Sequence, residues 1–289
     1  MQIIFFIFVQ LKQSFMPYPP AKVNIGLSVV GKRPDGFHHI ETVFYPIPLC
    51  DTLTVEAAGS DCLCQLVFSC FGLELPENGV HHNLCCKAYY LLNADYHLPP
   101  SKIILNKAIP VGAGLGGGSS DAAYTLKELK RVFQLKISDR ELIRYAQQLG
   151  SDCAFFLYGK PAFGTGKGDL LEPFSLSLEG YGFLLVKPHV FVSTADAYSL
   201  ITPKKKKHHL PEALQAPVSE WRYTVFNDFE SPVFKKFPEI GRIKQQLYEK
   251  GALYASMSGS GSSVYGIFEK KPDGIEKLFP DCFIWSCVL

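Results

Sequence analysis

At 289 residues the chain is long enough for one large or two small domains and a substantial buried core. Its 47% hydrophobic and 19% charged residues are those of a soluble globular protein, and a formal net charge of +2 gives no case for a nucleic-acid or polyanionic partner. The nine cysteines are odd in number and show no zinc-site spacing, so free thiols in a reducing cytoplasm are expected; Cys62-x-Cys64 has too short a gap for a metal pair.

The apolar run Met1–Val9 is too short to span a bilayer and lacks the flanks of a signal peptide. Residues 1–15 are therefore read as an extension upstream of a natural start at Met16. The segment 21–30 alternates as a strand, with Lys22 and Asn24 on one face. Pro34-Asp35-Gly36 is a turn that presents Phe37, His38 and His39 on a loop, where an aromatic and two imidazoles suit a planar ring. Strands are predicted over 52–56 and 65–69, a helix over 83–96, and a strand over 101–106.

Five of the seven residues from Gly112 to Gly118 are glycine, and Ser119 and Ser120 follow at the opening of a helix. Glycine admits positive φ and lets a ligand approach bare amides, and a helix N-terminus adds unpaired N–H groups and a positive dipole end. Together they make an anion site, most often for phosphate. The serines are expected to cap the helix or to turn a hydroxyl toward phosphate or Mg²⁺. Gly112-x-Gly114-x-x-Gly117 also fits a dinucleotide fingerprint, but residues 122–133 are helical where that motif needs a second strand ending in an acid. A Walker A loop would end in Gly-Lys-Ser/Thr, and this one has no lysine. A flexible linker does not sit between an apolar strand and an amphipathic helix.

Ser138-Asp-Arg-Glu141 is a capping box that starts a further helix, which ends at Gly150. Asp152 follows just before an apolar run; a partly enclosed carboxylate needs a partner, and Lys22 is the natural one. Residues 161–169 read as a hairpin turn, 182–187 as a buried strand, and 192–200 as the start of a helix capped by Ser193 or Thr194. The lysine run 204–207 is assigned no chemistry. A helix is predicted from about 238 to 250, after Asn227-Asp228. The small residues 256–263 then lie between two strands, either to close over phosphates or to let two backbones approach.

Several stretches, taken in order over residues 17 to about 270, resemble the motifs of the GHMP kinases. They are Ala21-Lys22-Val23-Asn24-Ile25, the run Lys32–His38, Pro110-x-Gly-x-Gly-Leu-Gly-x-x-x-Ser120, Gly150-Ser151-Asp152, Asn227-Asp228 and Met257–Ser262. Any one of these is unspecific, whereas the ordered set narrows the resemblance to the branch acting on a cytidylyl-linked sugar alcohol in isoprenoid precursor synthesis.

The resemblance implies an α/β (α+β) two-domain fold with the active site in the inter-domain cleft. The domains are expected at 16–160 and 161–289, where composition shifts slightly. It implies ATP and Mg²⁺, a small-molecule cytidylyl substrate, no nucleic-acid or membrane partner, and a monomer or homodimer. Lys22 and Asp152 fall on the catalytic positions. Pro110, Val111, Gly112, Ala113, Gly114, Leu115, Gly116, Gly117, Gly118, Ser119 and Ser120 fall on the phosphate loop, with Ser119 or Ser120 toward the metal. Asn83 and Lys107 fall where the adenine nucleotide is contacted. Asn24, Phe37, His38, Thr194, Asn227 and Gly259 fall on the substrate side, with Phe37 and His38 holding the cytosine. The family usually carries Tyr at the Phe37 position and Pro at the Ala154 position. Two alternatives are a sibling enzyme acting on homoserine or mevalonate, which needs no cytosine clamp, and a catalytically silent binding protein. The presence of Lys22, Asp152 and both glycine loops disfavours the second.

Overall fold

The computed structural model describes residues 18–59, 62–73, 83–203 and 210–289; the 1–15 extension and the lysine run 204–207 lie outside these. Strand β1 (Pro20–Lys32) pairs antiparallel with β2 (His38–Cys50), and β3 (Thr52–Ala57), β4 (Leu66–Gly72) and β5 (Ser101–Lys107) form a second sheet in the order β3-β5-β4. Helix α1 (Leu84–Tyr96) precedes β5, and α2 (Gly117–Val132), α3 (Asp139–Leu149) and the short α4 (Cys153–Tyr158) follow it.

Hairpin β6 (Ala162–Thr165) and β7 (Leu170–Pro173) returns to the first sheet, giving the order β1-β2-β6-β7. The chain therefore enters the third sheet only beyond Pro173, although the composition shifts near 160. A third, antiparallel sheet follows in the order β11-β8-β10-β9, from β8 (Gly182–Lys187), β9 (Tyr254–Met257), β10 (Val264–Phe268) and β11 (Phe283–Val288). Helix α5 (Thr194–Ser199) leaves β8, and a run of short helices ends in Pro238–Glu249.

Two features place the site. Helix α2 buries Leu126 and Leu129 among the side chains of α1 and β5, while Ala123 packs beside Phe44, Phe155 and Phe156. Each fully buried leucine contributes about 1.5–3 kcal/mol, so the helix axis, and with it the direction of its N-terminus, is fixed. Strand β1 is buried along Ala21–Val29 and is stitched to the C-terminal half. Leu27 N–H donates to Phe226 O at 2.9 Å, Asp228 N–H donates to Leu27 O at 2.8 Å, and Tyr265 OH donates to Asn24 O at 2.9 Å. The cleft between the halves is thus floored by one strand that belongs to both.

Most predicted elements appear where the periodicity put them. The Ser138 capping box forms, with Ser138 Oγ accepting from Glu141 N–H at 3.2 Å and Glu141 Oε2 accepting from Ser138 N–H at 2.9 Å. Two local readings are corrected and one choice between alternatives is resolved. The phosphate-loop helix starts at Gly117, capped by Gly116 at φ +70°, so the serines are its third and fourth residues and cap nothing. His38 and His39 begin β2, leaving only Phe37 in the loop. Ser193 caps α5, accepting from Asp196 N–H at 3.1 Å, and Thr194 is the first helical residue.

Candidate active site

A cleft of about 1160 Å³ runs between the halves, lined by β1, the glycine loop, the 150–152 turn and α5. At its centre Lys22 Nζ donates to Asn24 Oδ1 at 2.6 Å and to Gly114 O at 3.0 Å, and lies 3.5 Å from Asp152 Oδ2. An ammonium has three protons to give, and here three acceptors receive them. Burial lowers the Lys22 pKa from its ordinary value, and the Asp152 carboxylate opposes that fall. Asn24 is itself fixed, its Nδ2 donating to Thr42 Oγ1 at 3.0 Å, whose hydroxyl donates to Gly26 O at 2.6 Å.

Asp152 occupies the N-cap position of α4 in αR geometry, φ −83° and ψ −13°, and makes no side-chain cap hydrogen bond. Its carboxylate is therefore left to Lys22 and the cleft. Ala154, where the family carries proline, sits in the first turn of that helix, a position open to either residue because the first-turn N–H has no helical partner. The missing proline leaves the turn helical.

The glycine loop supplies backbone rather than side chains. Ala113 and Leu115 are buried in the core, and the carbonyl of Leu115 receives Lys22 N–H at 3.0 Å. Gly114 requires its lack of a side chain: φ is +76°, and a Cβ there would lie 2.1 Å from Ser258 O. Of the two roles open to the second small-residue loop, close backbone approach is the one realised. Ser258 Oγ donates to Gly114 O at 2.8 Å, and Ser263 N–H donates to Ala113 O at 3.3 Å. The first turn of α2 carries no acidic side chain, and its residues Gly117, Gly118 and Ser119 line the cleft. They suit a phosphate.

Of the two serines, Ser119 lines the cleft, whereas Ser120 is fully buried with an unpartnered Oγ. Ser119 alone is placed to offer oxygen to a phosphate-bound Mg²⁺, which takes only one or two protein oxygens and keeps its waters. Among the described residues no group of three or more His, Cys, Asp or Glu could by itself hold a metal.

Several expected contacts are already committed within the protein. The Lys107 ammonium is enclosed by Asp51 and by Asp121 Oδ2, the latter at 2.8 Å, and is only 4% exposed. Asp51 Oδ1 also accepts from Ala108 N–H at 2.6 Å and Ile109 N–H at 2.8 Å, fixing the entry to the glycine loop. Burial pushes Asp121 up to about 8, with Lys107 holding it down and Asp51 adding to the rise. Asn83 lines the cleft but spends its Oδ1 on the Cys85 N–H at the start of α1, at 2.8 Å. Asn227 donates to Met257 O and Gly259 O, both at 2.8 Å, and accepts from Phe229 N–H at 3.0 Å, so its amide is spent on holding the second loop and does not line the cleft. Gly259 lines the cleft beside Asn24, at φ +56°.

At the far end, Phe37 is 58% exposed and His38 stacks on Tyr198, ring centroids 4.8 Å apart at 19°. Tyr198 rests edge-on against Phe229 at 4.8 Å. Burial, then the charge of Asp152, pushes its hydroxyl up to about 12, so it stays a neutral donor. Thr194 Oγ1 lies 3.2 Å from Ser260 Oγ and joins α5 to the second loop. Sequence reasoning missed Tyr198, although it follows Thr194 by four residues and so shares its helix face. It missed Asp51 and Asp121 because nothing local marks an acid that folds inward.

A helix N-terminus suited to phosphate, in one cleft with a Lys–Asp pair, is the arrangement of a small-molecule phosphotransferase site. The GHMP kinase N-terminal domain model matches residues 83–160 and the GHMP kinase C-terminal model residues 212–278. The chain is 52% identical over 254 residues to a 4-diphosphocytidyl-2-C-methyl-D-erythritol kinase of Bacteroides fragilis, covering 87% of this chain and 91% of that one. It is 50% identical over 270 residues to the enzyme of that name from Parabacteroides distasonis, covering 93% and 97%. A crystal structure of a 4-(cytidine 5'-diphospho)-2C-methyl-D-erythritol kinase superposes with TM-score 0.79 at 35% identity, over 94% and 98% of the two chains. Mevalonate kinase of Methanococcus jannaschii shares the fold at TM-score 0.71 and 17% identity. The chain belongs to the GHMP kinases and, within them, to the 4-diphosphocytidyl-2-C-methyl-D-erythritol kinase family.

Proposed function

We propose that the protein transfers the γ-phosphoryl group of ATP to the 2-hydroxyl of 4-diphosphocytidyl-2-C-methyl-D-erythritol, giving the 2-phosphate and ADP in isoprenoid precursor synthesis. The observation that carries this is the Lys22–Asp152 pair beside Gly114, at the mouth of the glycine loop and in one cleft with Phe37, His38 and Tyr198.

Phosphoryl transfer asks the protein for in-line positioning and cancellation of phosphate charge more than for covalent chemistry. The bare amides of Gly117, Gly118 and Ser119 hold the phosphates. Ser119 would hold a phosphate-bound Mg²⁺, which would supply partial neutralisation of their charge. Asp152 accepts or orients the proton of the tertiary hydroxyl, and Lys22 keeps that carboxylate ionised while stabilising the negative charge that develops. Phe37, His38 and Tyr198 hold the cytosine at the other end, so that binding energy there orients the hydroxyl.

With nine free cysteines and no helix among the described residues able to cross a membrane, we place the reaction in the cytoplasm. The test is ADP release from ATP–Mg²⁺ with the cytidylyl substrate, with homoserine and mevalonate alongside, in wild type and Asp152→Asn. Turnover confined to the cytidylyl substrate and lost in the variant is the expected result. Turnover with another alcohol alone would refute the substrate, and nucleotide binding without any turnover would make the protein a binding module.

A further inference from the structure

The turn between β6 and β7 has no part in the transfer step, yet it is built with care. Gly166 and Gly168 flank Lys167 at φ +67° and +92°, a backbone that other residues resist. Ile40 N–H donates to Gly166 O at 2.9 Å, which ties the turn to β2 two residues beyond His38. Lys167 Nζ consequently stands 5.0 Å from the centroid of the Phe37 ring. On the other side of β2, β1 ends at Lys32, whose register partner is His38. Two lysines, Lys32 at the end of β1 and Lys167 in the turn after β6, flank the Phe37–His38 pair, and both line the cleft.

These ammoniums differ from the others in the cleft. Lys22 and Lys107 are held by fixed acceptors inside the protein. Lys32 is exposed, and the carboxylate nearest Lys167 is Asp169 at 3.8 Å, with side chains 34% and 26% exposed. Asp35 also acts on this turn, but Arg33 takes its carboxylate at 2.9 Å. Neither acid clamps the Lys167 ammonium.

On the cytidylyl reading above, the substrate carries a diphosphate between the base and the reacting polyol. With the base at Phe37–His38 and the hydroxyl at Asp152, those phosphates must cross the intervening cleft. Phosphates leaving water without counter-charge are costly, and lysine supplies a mobile point charge for them. We propose that Lys32 and Lys167 form the subsite for this diphosphate, and that they select nucleoside-diphosphate-linked alcohols over neutral ones.

The test is calorimetric binding of cytidine, CMP and CDP to the full chain, in wild type, Lys32→Gln, Lys167→Gln and Lys167→Arg, with ADP binding as the check on folding. Each glutamine variant should lose on the order of tenfold in CDP affinity while cytidine affinity holds, and arginine should retain most of it. Added salt should weaken CDP binding more in wild type than in the glutamine variants. Equal losses for cytidine and CDP would overturn the subsite, because Lys167 would then act only by holding the Phe37 ring. Unchanged CDP affinity in both glutamine variants would overturn it as well. A wild type that binds ADP but no cytidine compound would instead refute the cytidylyl reading, and the subsite with it.

Discussion

Lys22 and Lys107 reach the same cleft from buried strand positions, yet the protein uses them in opposite ways. Lys22 has one charged neighbour, Asp152, which keeps 28% of its side chain exposed, and its other acceptors are neutral. Lys107 sits in a closed group with two carboxylates that are almost wholly buried. On the proposed function one lysine is left with chemistry to do, and the other holds the glycine loop's entry in place. What separates the two sites is enclosure: Asp152 keeps 28% of its side chain exposed, whereas Asp51 and Asp121 keep 0% and 3%.

The sharpest way to break this comparison is to remove each partner in turn. Asp152→Asn should lower kcat by roughly 10²–10⁴, with a smaller fall in thermal stability than Lys107→Met, since Lys22 keeps Asn24 Oδ1 and Gly114 O as acceptors. Lys22→Met should likewise lower kcat, with a smaller loss of stability than Lys107→Met, because the carboxylate it leaves behind, Asp152, keeps 28% of its side chain exposed to water. A fall in Tm of either variant large enough to explain the lost activity would erase the distinction. Lys107→Met should do the reverse, destabilising the fold by about 3–5 kcal/mol in urea unfolding because Asp51 is left buried without a counter-ion and Asp121 without its hydrogen-bond donor. A stable but inactive Lys107→Met protein would move that lysine into the chemistry.

A gentler test uses pH. Because the carboxyl of Asp121 is raised from 3.8 to about 8, the folded chain keeps a proton that the unfolded chain releases above about 4. Its contribution to stability is present in full below that lower value and is lost as pH rises through about 8. Asp121→Asn should flatten this part of the stability profile, and identical slopes in the two proteins would refute the assignment. The smallest effect concerns the adjacent serines. Ser119→Ala should raise the KM for MgATP several-fold by removing one oxygen ligand. Ser120→Ala should leave KM unchanged and change stability by less than about 1 kcal/mol, since the hydroxyl it removes has no partner. Equal KM changes in the two would contradict the placement of Ser119.

The sequence by itself determined the elements and the phosphate loop. Strand and helix periods are local properties, and a run of glycines before a helix has one dominant use, so β1, α2, α3 and the Gly112–Gly118 cradle were legible. The pairing of Lys22 with Asp152 was also legible, since an enclosed acid needs a cation and a lysine stood on an otherwise apolar strand. Only the tertiary structure decided how the remaining polar groups were spent. Lys107, Asn227 and Ser120 carry the right atoms for binding, but their hydrogen-bonding partners or their burial come from elements far away in the chain. How such a group is spent depends on distances of about 3 Å between residues such as Asn227 and Gly259, which no local pattern records. Tyr198 is the converse: its sequence context is unremarkable, and packing between His38 and Phe229 is what puts it in the cleft.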